Sequence, residues 1–225
     1  MISIQNLRFS YPRSDFELRI GELNIEQGSK IAIVGPSGSR KTTLLNLISG
    51  IEIPASGTIA VNEQDVGVMS ESARRDFRIR NIGFVFQQFE LVEYLNAKDN
   101  ILLPYSINAS MQLTSKISAN ATEMAGRMGL QGKLNRHPGQ LSQGEQQRVA
   151  ICRALIANPK LILADEPTGN LDPANKGRIL ELLFESCQRE GQTLIVVTHD
   201  MNILAGFDKI VDFEQFRQKA GKVEV

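Results

Sequence analysis

Residues 35–43, GPSGSRKTT, combine glycine, serine, lysine and threonine in an order that suits polyphosphate binding. The general pattern is Gly, four residues, Gly, Lys and Ser or Thr, in which backbone N–H groups cradle phosphates at a helix N-terminus. Gly35 starts this loop, Lys41 can reach the β- and γ-phosphates of a nucleotide, and Thr42 can bind Mg²⁺. The other candidate nucleotide-binding residues of the segment are Pro36, Ser37, Gly38, Ser39, Arg40 and Thr43.

The loop departs from the pattern at Arg40, which stands where the second glycine is required. A glycine there lets the backbone approach the phosphate with no Cβ in the way. We therefore predict that Arg40 weakens nucleotide binding by adding bulk to the cradle, although its charge could help to hold phosphate. As a bare pattern, this partial match is also compatible with an ordinary turn before a helix.

Acidic residues and a histidine follow two other apolar runs. Asp165 and Glu166 end the run LILADEP, where Asp165 could hold Mg²⁺ through its water shell and Glu166 could polarise an attacking water. The alternative is a capping acid in a strand-to-helix turn. His199 ends the run TLIVVTHD. A lone histidine is more often structural, but beside a phosphate site it could bind the γ-phosphate and orient the water.

The elements around these residues predict an α/β architecture, because short apolar runs alternate with longer amphipathic ones. The run at 30–35 is continuously apolar, as expected of a strand buried on both faces, and 41–50 reads as a helix closed by Gly50. We expect each of the two later apolar runs to be a parallel strand followed by a helix. Further strands are predicted at 2–9, 16–26, 57–66 and 81–88, the first two antiparallel.

Strand-like runs disappear between roughly residues 89 and 159, where helix-compatible stretches dominate. These stretches are residues 97–105, 117–129 and 145–158. We predict a single domain over 1–225, with an α/β nucleotide-binding core at 1–88 and 159–225 and an inserted helical subdomain at 89–158. The core is then a P-loop nucleotide-hydrolase fold with a mainly parallel sheet and an N-terminal antiparallel β subdomain.

Composition excludes some functions. Lysine plus arginine equals aspartate plus glutamate at 25 each, so the formal charge of zero gives no global attraction to nucleic acid or anionic lipid. Cys152 and Cys187 have neither metal-ligand nor redox spacing, which favours buried thiols in a reducing compartment. The N-terminal MISIQNLRFSYP lacks the features of a secretion signal, and no run approaches the roughly 18 apolar residues that cross a bilayer. We expect a soluble chain.

A family resemblance follows from the order of three segments. LSQGEQQRVAICRAL precedes LILADEPTGNLD, and VVTHD comes after both, so the chain resembles an ABC-type ATPase over nearly its whole length. LSQGE is similar to the family signature LSGGQ, with departures at Gln143 and Glu145 that we expect to be tolerated. The resemblance implies that Ser142 and Gly144 contact the γ-phosphate of ATP held by the opposite subunit.

The same resemblance assigns four further residues. GFVFQQF resembles the glutamine loop, so that Gln87 would sense Mg²⁺ and the attacking water, while residues 89–95 face a membrane partner. Leu171 and Asp172 match the loop that crosses the dimer interface. Tyr11, in FSYP, matches the aromatic residue that stacks on adenine, although alone it would be an ordinary exposed strand tyrosine.

The resemblance implies a cytoplasmic ATP-hydrolysing subunit that needs Mg²⁺ and forms a homodimer with ATP sandwiched between its copies. A separate transmembrane permease would hold it at the inner face of the cell membrane. IGFVFQQF and ADEPTGNLD resemble the branch with lipoprotein-releasing, macrolide-exporting and cell-division ATPases. One alternative is a degenerate, non-hydrolysing subunit, which Arg40 favours. Another is an ABC-type ATPase acting on DNA or ribosomes, but a single cassette, no coiled-coil heptads and no net positive charge predict no nucleic-acid partner.

Overall fold

The computed structural model describes residues 1–169, 171 and 173–219, and these form two sheets with helices packed around them. In chain order the strands β1 to β10 are Ile2–Ser10, Phe16–Ile25, Lys30–Val34, Ser56–Val61, Gln64–Asp65, Ile82–Val85, Leu161–Asp165, Thr193–Thr198, Lys209–Asp212 and Arg217–Lys219. The α-helices α1 to α6 are Lys41–Ile48, Glu71–Asn81, Ala97–Ile107, Ser115–Arg127, Gln143–Leu155 and Pro173–Glu190. Short 3₁₀ turns occupy Pro138–Gln140, Met201–Ile203 and Phe213–Phe216.

The central sheet is parallel, with the strand order β6-β7-β8-β3-β9. Its three middle strands are almost continuously apolar and buried, because both faces of a parallel sheet are covered. The predicted mainly parallel core is therefore confirmed. Since neighbouring strands run the same way, Val34, Asp165 and Thr198 end at one edge of the sheet, which is where such sheets bind ligands.

The second sheet is antiparallel and contains the N-terminal strands, in the order β10-β2-β1-β4-β5. Ile2 faces Ile25 across the β1–β2 pair and Val61 across the β1–β4 pair. Their side chains are buried in the same core, so the register is fixed by this apolar face. The predicted antiparallel N-terminal subdomain is confirmed.

Residues 57–66 are a hairpin, so the prediction of one strand there was wrong. Strands β4 and β5 are joined at Asn62 and Glu63, whose φ angles are 49° and 64°. Two consecutive positive φ angles give the tight turn whose twist suits a two-residue hairpin. Asn accepts this conformation readily, whereas Glu does so less often.

Helices α3, α4 and α5 lie between β6 and β7, as the predicted helical insertion requires. The proposed boundaries, 89–158 for the insertion and 1–88 with 159–225 for the core, stay a prediction. Helix α5 also packs directly on the parallel sheet. A Cβ added at Gly83 in β6 would lie only 2.2 Å from the main-chain oxygen of Ala154, so the backbones of strand and helix touch there. Only glycine permits this approach.

The end of β8 differs from the prediction. β8 is followed by the 3₁₀ turn Met201–Ile203 and then by β9, whereas we had expected an α-helix. The segment after it, which showed no regular pattern, adds β9 to the edge of the parallel sheet, where Ile31 faces Lys209. Helix α2 was not predicted either, since Phe77 is its one buried residue.

Both cysteines are free and buried, as expected. Burial raises the pKa of the Cys152 and Cys187 thiols to about 12, so neither is a reactive thiolate at neutral pH. None of the helices in the described part of the chain combines the length and apolarity needed to span a bilayer.

Candidate functional site

The loop between β3 and α1 forms a cradle that is closed by its own main chain. The Lys41 ammonium group donates to the carbonyls of Gly35 (2.8 Å) and Pro36 (3.1 Å), and it is buried. The Ser39 hydroxyl is also buried and has no hydrogen-bond partner among the described residues. A buried cation and an orphaned hydroxyl at a helix N-terminus form a site to which an anion can bind.

Arg40 is the residue that precedes α1, and its backbone is left-handed, with φ 67° and ψ 36°. This conformation is the one that glycine adopts without cost, whereas a residue with a Cβ is strained in it. The structure therefore gives a second physical reason for the glycine of the pattern. The predicted weakening of nucleotide binding stays a prediction. The guanidinium group, however, lies over the rings of Tyr11 and Phe16.

Tyr11 lies beside the start of α1. Its hydroxyl is 3.1 Å from the Thr43 hydroxyl, and its ring makes an edge contact with Phe9 at 4.8 Å between centroids. The ring is half-buried. Tyr11 is thus the aromatic side chain that the structure places next to the cradle through Thr43.

Asp165 ends β7 and points at the cradle. The Thr42 hydroxyl donates to its Oδ2 at 2.8 Å. Burial, helped by the neighbouring Glu166 charge, raises the pKa of the Asp165 carboxyl above its usual value, although Thr42 and Lys41 oppose this shift. The charged carboxylate is therefore poorly solvated, and a cation beside it would be favoured.

Glu166 follows in a strained left-handed conformation, with φ 45°, and its N–H donates to the Val197 carbonyl at 3.0 Å. Its carboxylate accepts from the Thr198 hydroxyl at 3.2 Å and from His199 Nδ1 at 2.8 Å. The Lys41 ammonium lies 3.8 Å away. Three side chains from two different elements thus fix the orientation of this carboxylate. Strain of this kind is common at functional sites.

Gln87 reaches the same cleft from the end of β6. A Cβ added at Gly169 would lie 3.6 Å from its Nε2, so the side chain lies against the turn that follows Glu166. The two residues after Gln88, Phe89 and Glu90, have positive φ angles of 61° and 48°. A sharp main-chain turn therefore follows Gln87.

Two buried side chains hold residues 89–96, which follow shortly after Gln87 and which we therefore call the Gln87 loop. Arg153 of α5 donates to the main-chain oxygens of Phe89 and Glu90. Asn100 of α3, wholly buried, accepts from the Val92 N–H at 2.7 Å and donates to main-chain oxygens of the loop, including that of Leu95 at 3.1 Å. Both residues bind main-chain atoms.

A cleft of about 190 Å³ joins most of these groups. Its lining comprises Ser37, Gly38, Arg40, Lys41, Thr42, Gln87, Asp165, Glu166 and His199. All nine were predicted from the sequence as site residues. Gly35, Pro36, Ser39 and Thr43 lie in the same loop or the first turn of α1.

The signature residues do not line this cleft. Ser142 caps α5: its hydroxyl accepts from the Glu145 N–H at 3.3 Å, and the Glu145 carboxylate accepts from the Ser142 N–H at 2.9 Å. Gly144 is buried on the first turn, where an added Cβ would meet Arg148 at an ordinary 3.6 Å. Within one chain, then, Ser142 and Gly144 are placed apart from Lys41 and Glu166.

Leu171 is buried in the core of its own chain, and its N–H donates to the Thr168 carbonyl at 3.2 Å. Its assignment to a dimer interface stays a prediction. Asp172, the other residue of that assignment, lies outside the described residues.

Sequence reasoning missed Thr198 and Arg153. Thr198 was hidden in an apolar strand, although its place directly before His199 was a usable signal. Arg153 stands within the apolar stretch VAICRALI, and an arginine surrounded by core residues on a helix indicates a buried acceptor. The acceptors are main-chain oxygens of Phe89 and Glu90, and no sequence motif indicates such acceptors.

Comparison with known proteins gives a consistent picture. The family model described as ABC transporter matches residues 18–169. A lipoprotein-releasing system ATP-binding protein, LolD, of Chromohalobacter salexigens is 40% identical over 196 residues, covering 87% of this chain and 82% of LolD. A macrolide export ATP-binding/permease protein, MacB, of Rhodopirellula baltica is 40% identical over 233 aligned positions. That match covers all of this chain but only 34% of MacB, so the chain spans about a third of that relative.

Among solved structures, the ATP-binding cassette MJ0796 superposes with a TM-score of 0.82 at 33% identity. The match covers 98% of this chain and 99% of MJ0796, whose structure is described as dimeric, in a post-hydrolysis state, and bound to ADP and Pi. The likeness therefore extends over the parallel core, the antiparallel sheet and the helical insertion.

Proposed function

Because the chain belongs to the ABC transporter family, as an ATP-binding cassette ATPase, we propose that two copies of it close around ATP, hydrolyse it and drive a transmembrane permease. The observation that carries this proposal is the convergence of Lys41, Asp165 and Glu166 at the N-terminus of α1. These three side chains supply a phosphate-binding cation, a site for Mg²⁺ and a carboxylate for water activation.

In the proposed site the cradle holds the β- and γ-phosphates. Lys41, now bound to the carbonyls of Gly35 and Pro36, would exchange these for phosphate oxygens. The buried Ser39 hydroxyl would gain the partner that it lacks among the described residues. The N–H groups of the loop and of the first turn of α1 add a partial positive charge. Tyr11, beside Thr43, marks the place that the base of a nucleotide held in the cradle would approach.

The donors around Thr42 fit Mg²⁺. A hydroxyl from Thr42, a carboxylate from Asp165 and an amide from Gln87 offer the hard oxygen ligands that this ion prefers. Bound there beside the phosphates, Mg²⁺ would neutralise part of their charge. The raised pKa of Asp165 supports this assignment, because its buried carboxylate has little solvation to lose to a cation.

Glu166 is the candidate to activate water. The Thr198 hydroxyl and His199 Nδ1 hold its two oxygens in place, so the carboxylate can accept a proton from an aligned water as that water attacks the γ-phosphate. His199 can use its other ring nitrogen to contact the γ-phosphate, and Gln87, which lines the same cleft, can orient the water.

The second copy would complete the site. Ser142 and Gly144 lie outside the cleft of their own chain, and Ser142 is exposed at the start of α5. We therefore place these two residues over the partner's γ-phosphate. Leu171 and Asp172 would lie near the contact between the two copies. ATP then favours the closed pair only through contacts that span both copies. Loss of the γ-phosphate removes those contacts and lets the pair open.

The membrane partner is proposed from the relatives and from one groove. An apolar groove of about 340 Å³ runs beside the Gln87 loop and is lined by Phe84, Phe86, Pro104 and Ile107 among others. The LolD relative is named as the ATP-binding protein of a lipoprotein-releasing system, and the MacB relative as a macrolide export ATP-binding/permease protein. We therefore place a permease segment in this groove. The chain would then work at the inner face of the cell membrane.

The decisive experiment is Glu166→Gln. In the presence of Mg²⁺ and ATP this variant should elute as a stable dimer by light scattering, while the rate of phosphate release falls by about 100-fold or more. The double variant Lys41→Ala/Glu166→Gln is the matched control and should stay monomeric, because it cannot hold the triphosphate. Normal phosphate release by Glu166→Gln would contradict the role given to this carboxylate.

A second candidate function is that of a non-hydrolysing subunit, and the observation that favours it is the strained Arg40 in the glycine position. Phosphate release and ATP binding by the unaltered chain and by Arg40→Gly separate the two. Turnover by the unaltered chain supports the ATPase. Binding of ATP by neither form supports the non-hydrolysing subunit.

A further inference from the structure

The Arg40 side chain is held by three contacts outside the phosphate cradle. Its guanidinium carbon lies 4.9 Å from the centre of the Phe16 ring and 5.4 Å from that of Tyr11. Nη1 donates to the Ser14 hydroxyl at 2.9 Å. Both ring distances are within the range of cation–π attraction. The guanidinium therefore lies over the aromatic pair and is tied to Ser14.

The aromatic pair is the surface that a nucleotide base would meet. Tyr11 is tied to Thr43 on the first turn of α1, so it lies at the same helix N-terminus as the cradle. Its ring is 6.2 Å from that of Phe16 and is inclined to it by 33°, which makes one shared, roughly continuous face. Phe16 is buried and Tyr11 half-buried, so the open part of this face lies on Tyr11.

The anchor of the guanidinium belongs to the fold itself. The Ser14 hydroxyl oxygen also accepts from the Phe16 N–H at 3.1 Å, so two donors fix its position at the start of β2. A base that approached Tyr11 would have to break the Arg40–Ser14 bond and separate the guanidinium from both rings.

We propose that Arg40 fills the base subsite with the chain's own guanidinium, so that the nucleotide is recognised through its phosphates and the base adds little affinity. Arg40 is then a specificity-determining residue, and its effect differs in kind from backbone strain. This inference rests on the proposed function, since it takes the triphosphate to lie in the cradle. It predicts weak discrimination between ATP, CTP and inorganic tripolyphosphate.

Two substitutions separate the side chain from the backbone. Arg40→Asn removes the guanidinium but keeps a Cβ, and asparagine tolerates the left-handed conformation. Arg40→Gly removes the side chain and the strain together. The strain acts on every ligand of the cradle, because it changes the loop. The guanidinium charge can attract any polyphosphate, but the side chain competes only with ligands that carry a base, so its effect appears in the ratio of ATP to tripolyphosphate affinity.

The test is calorimetric titration of the whole chain with ATP, CTP and inorganic tripolyphosphate in Mg²⁺. In the unaltered chain the ATP and CTP affinities should agree within about threefold. Arg40→Asn should raise the ratio of the ATP to the tripolyphosphate association constant by about tenfold, equivalent to about 1.4 kcal/mol. Arg40→Gly should raise that ratio equally and should also tighten tripolyphosphate.

Tyr11→Leu, made in both backgrounds, is the control for the stacking surface. It should lower the ATP-to-tripolyphosphate ratio much more in Arg40→Asn than in the unaltered chain, because only the former exposes the Tyr11 face. An ATP-to-tripolyphosphate ratio that is the same with Arg40 and with Asn overturns the inference and leaves the proposed function standing. Failure of every variant, including Arg40→Gly, to bind any of the ligands overturns the proposed function and the inference with it.

Discussion

Helices α1 and α5 begin in similar surroundings, each after a loop that contains serine and glycine, yet their first turns are satisfied differently. Helix α1 starts after Arg40, whose side chain makes no capping bond, and it has no acidic residue in its first turn. Helix α5 starts with a complete capping box between Ser142 and Glu145. The proposed mechanism brings both N-termini to the same phosphate.

The difference in capping between α1 and α5 predicts the order in which the two helix N-termini bind the phosphate. The first turn of α1 has open N–H groups and a buried lysine, so it can bind an anion within a single chain. At α5 the Ser142 hydroxyl accepts from the Glu145 N–H and the Glu145 carboxylate accepts from the Ser142 N–H. That backbone hydrogen bond, with Lys133 3.2 Å away, lowers the pKa of Glu145 and keeps it ionised. We therefore expect a phosphate to bind at α1 first and the α5 helix of a second copy to contact it afterwards.

Lys41→Ala should have the largest effect on this comparison. Removal of the one buried cation at α1 should weaken ATP binding by the single chain by about 100-fold, since charged hydrogen bonds contribute on the order of 2–3 kcal/mol. Calorimetry measures the affinity. Lys133→Ala is the matched control at α5 and should change the single-chain affinity by less than about twofold. Equal losses in the two variants would abolish the distinction between the helices.

Asp165→Asn should weaken ATP binding in Mg²⁺ by about tenfold, as for other groups that orient a metal site, and should have little effect in EDTA.

The same substitution should also change the stability of the ligand-free chain. The pKa of the Asp165 carboxyl is raised in the unaltered folded chain, so the folded state prefers the protonated form. The stability that this group contributes is therefore present at acid pH and is lost as pH rises through the raised pKa. At neutral pH the ligand-free variant should thus melt at a higher temperature. A lower melting temperature would refute this account of the buried carboxylate.

Ser142→Ala should lower the free energy of unfolding by about 1 kcal/mol, the usual effect of a lost N-cap, or roughly 2–4 °C in melting temperature. ATP binding by the single chain should stay the same, while the ATP-dependent dimer of Glu166→Gln should weaken. Scanning calorimetry and light scattering test the two parts. Weaker binding by the single chain would show that α5 contacts the phosphate of its own copy.

Ser39→Ala should have the smallest effect. Its hydroxyl has no partner among the described residues, so the free energy of unfolding should change by less than about 0.5 kcal/mol. ATP affinity should fall by about threefold, as expected when one neutral hydrogen bond is lost. Clear destabilisation of the ligand-free chain would mean that the hydroxyl serves the fold and not the phosphate.

The predictable part of the fold is the part with strong local patterns. The apolar runs at 30–34, 161–165 and 193–198 specify buried parallel strands by composition alone. The hairpin at Asn62 and Glu63 has no glycine to mark its turn, so its two strands read as one. Helix α2 buries only Phe77, which leaves its apolar stripe too thin to recognise.

The site was predictable where side chains follow strand ends. Asp165, Glu166 and His199 meet because parallel strands end at one edge, a consequence of the sheet that sequence can anticipate. The position of the Arg40 side chain could not be predicted, since it depends on Ser14, a residue remote in sequence, and on the Phe16 ring. The capping box of α5 can be predicted from the spacing of Ser142 and Glu145. The contrast with α1 cannot, because it depends on the absence of a side-chain cap at Arg40, which only the structure shows.

The main-chain path of the Gln87 loop is fixed in part by two side chains from helices outside it. Arg153 and Asn100 bind main-chain carbonyl oxygens and one N–H group, which any residue except proline could supply. Outward-facing side chains such as Tyr94, which is 82% exposed, take no part in these hydrogen bonds. The exposed side chains of this loop can therefore change, and with them the partner that the loop fits, while these main-chain hydrogen bonds are kept.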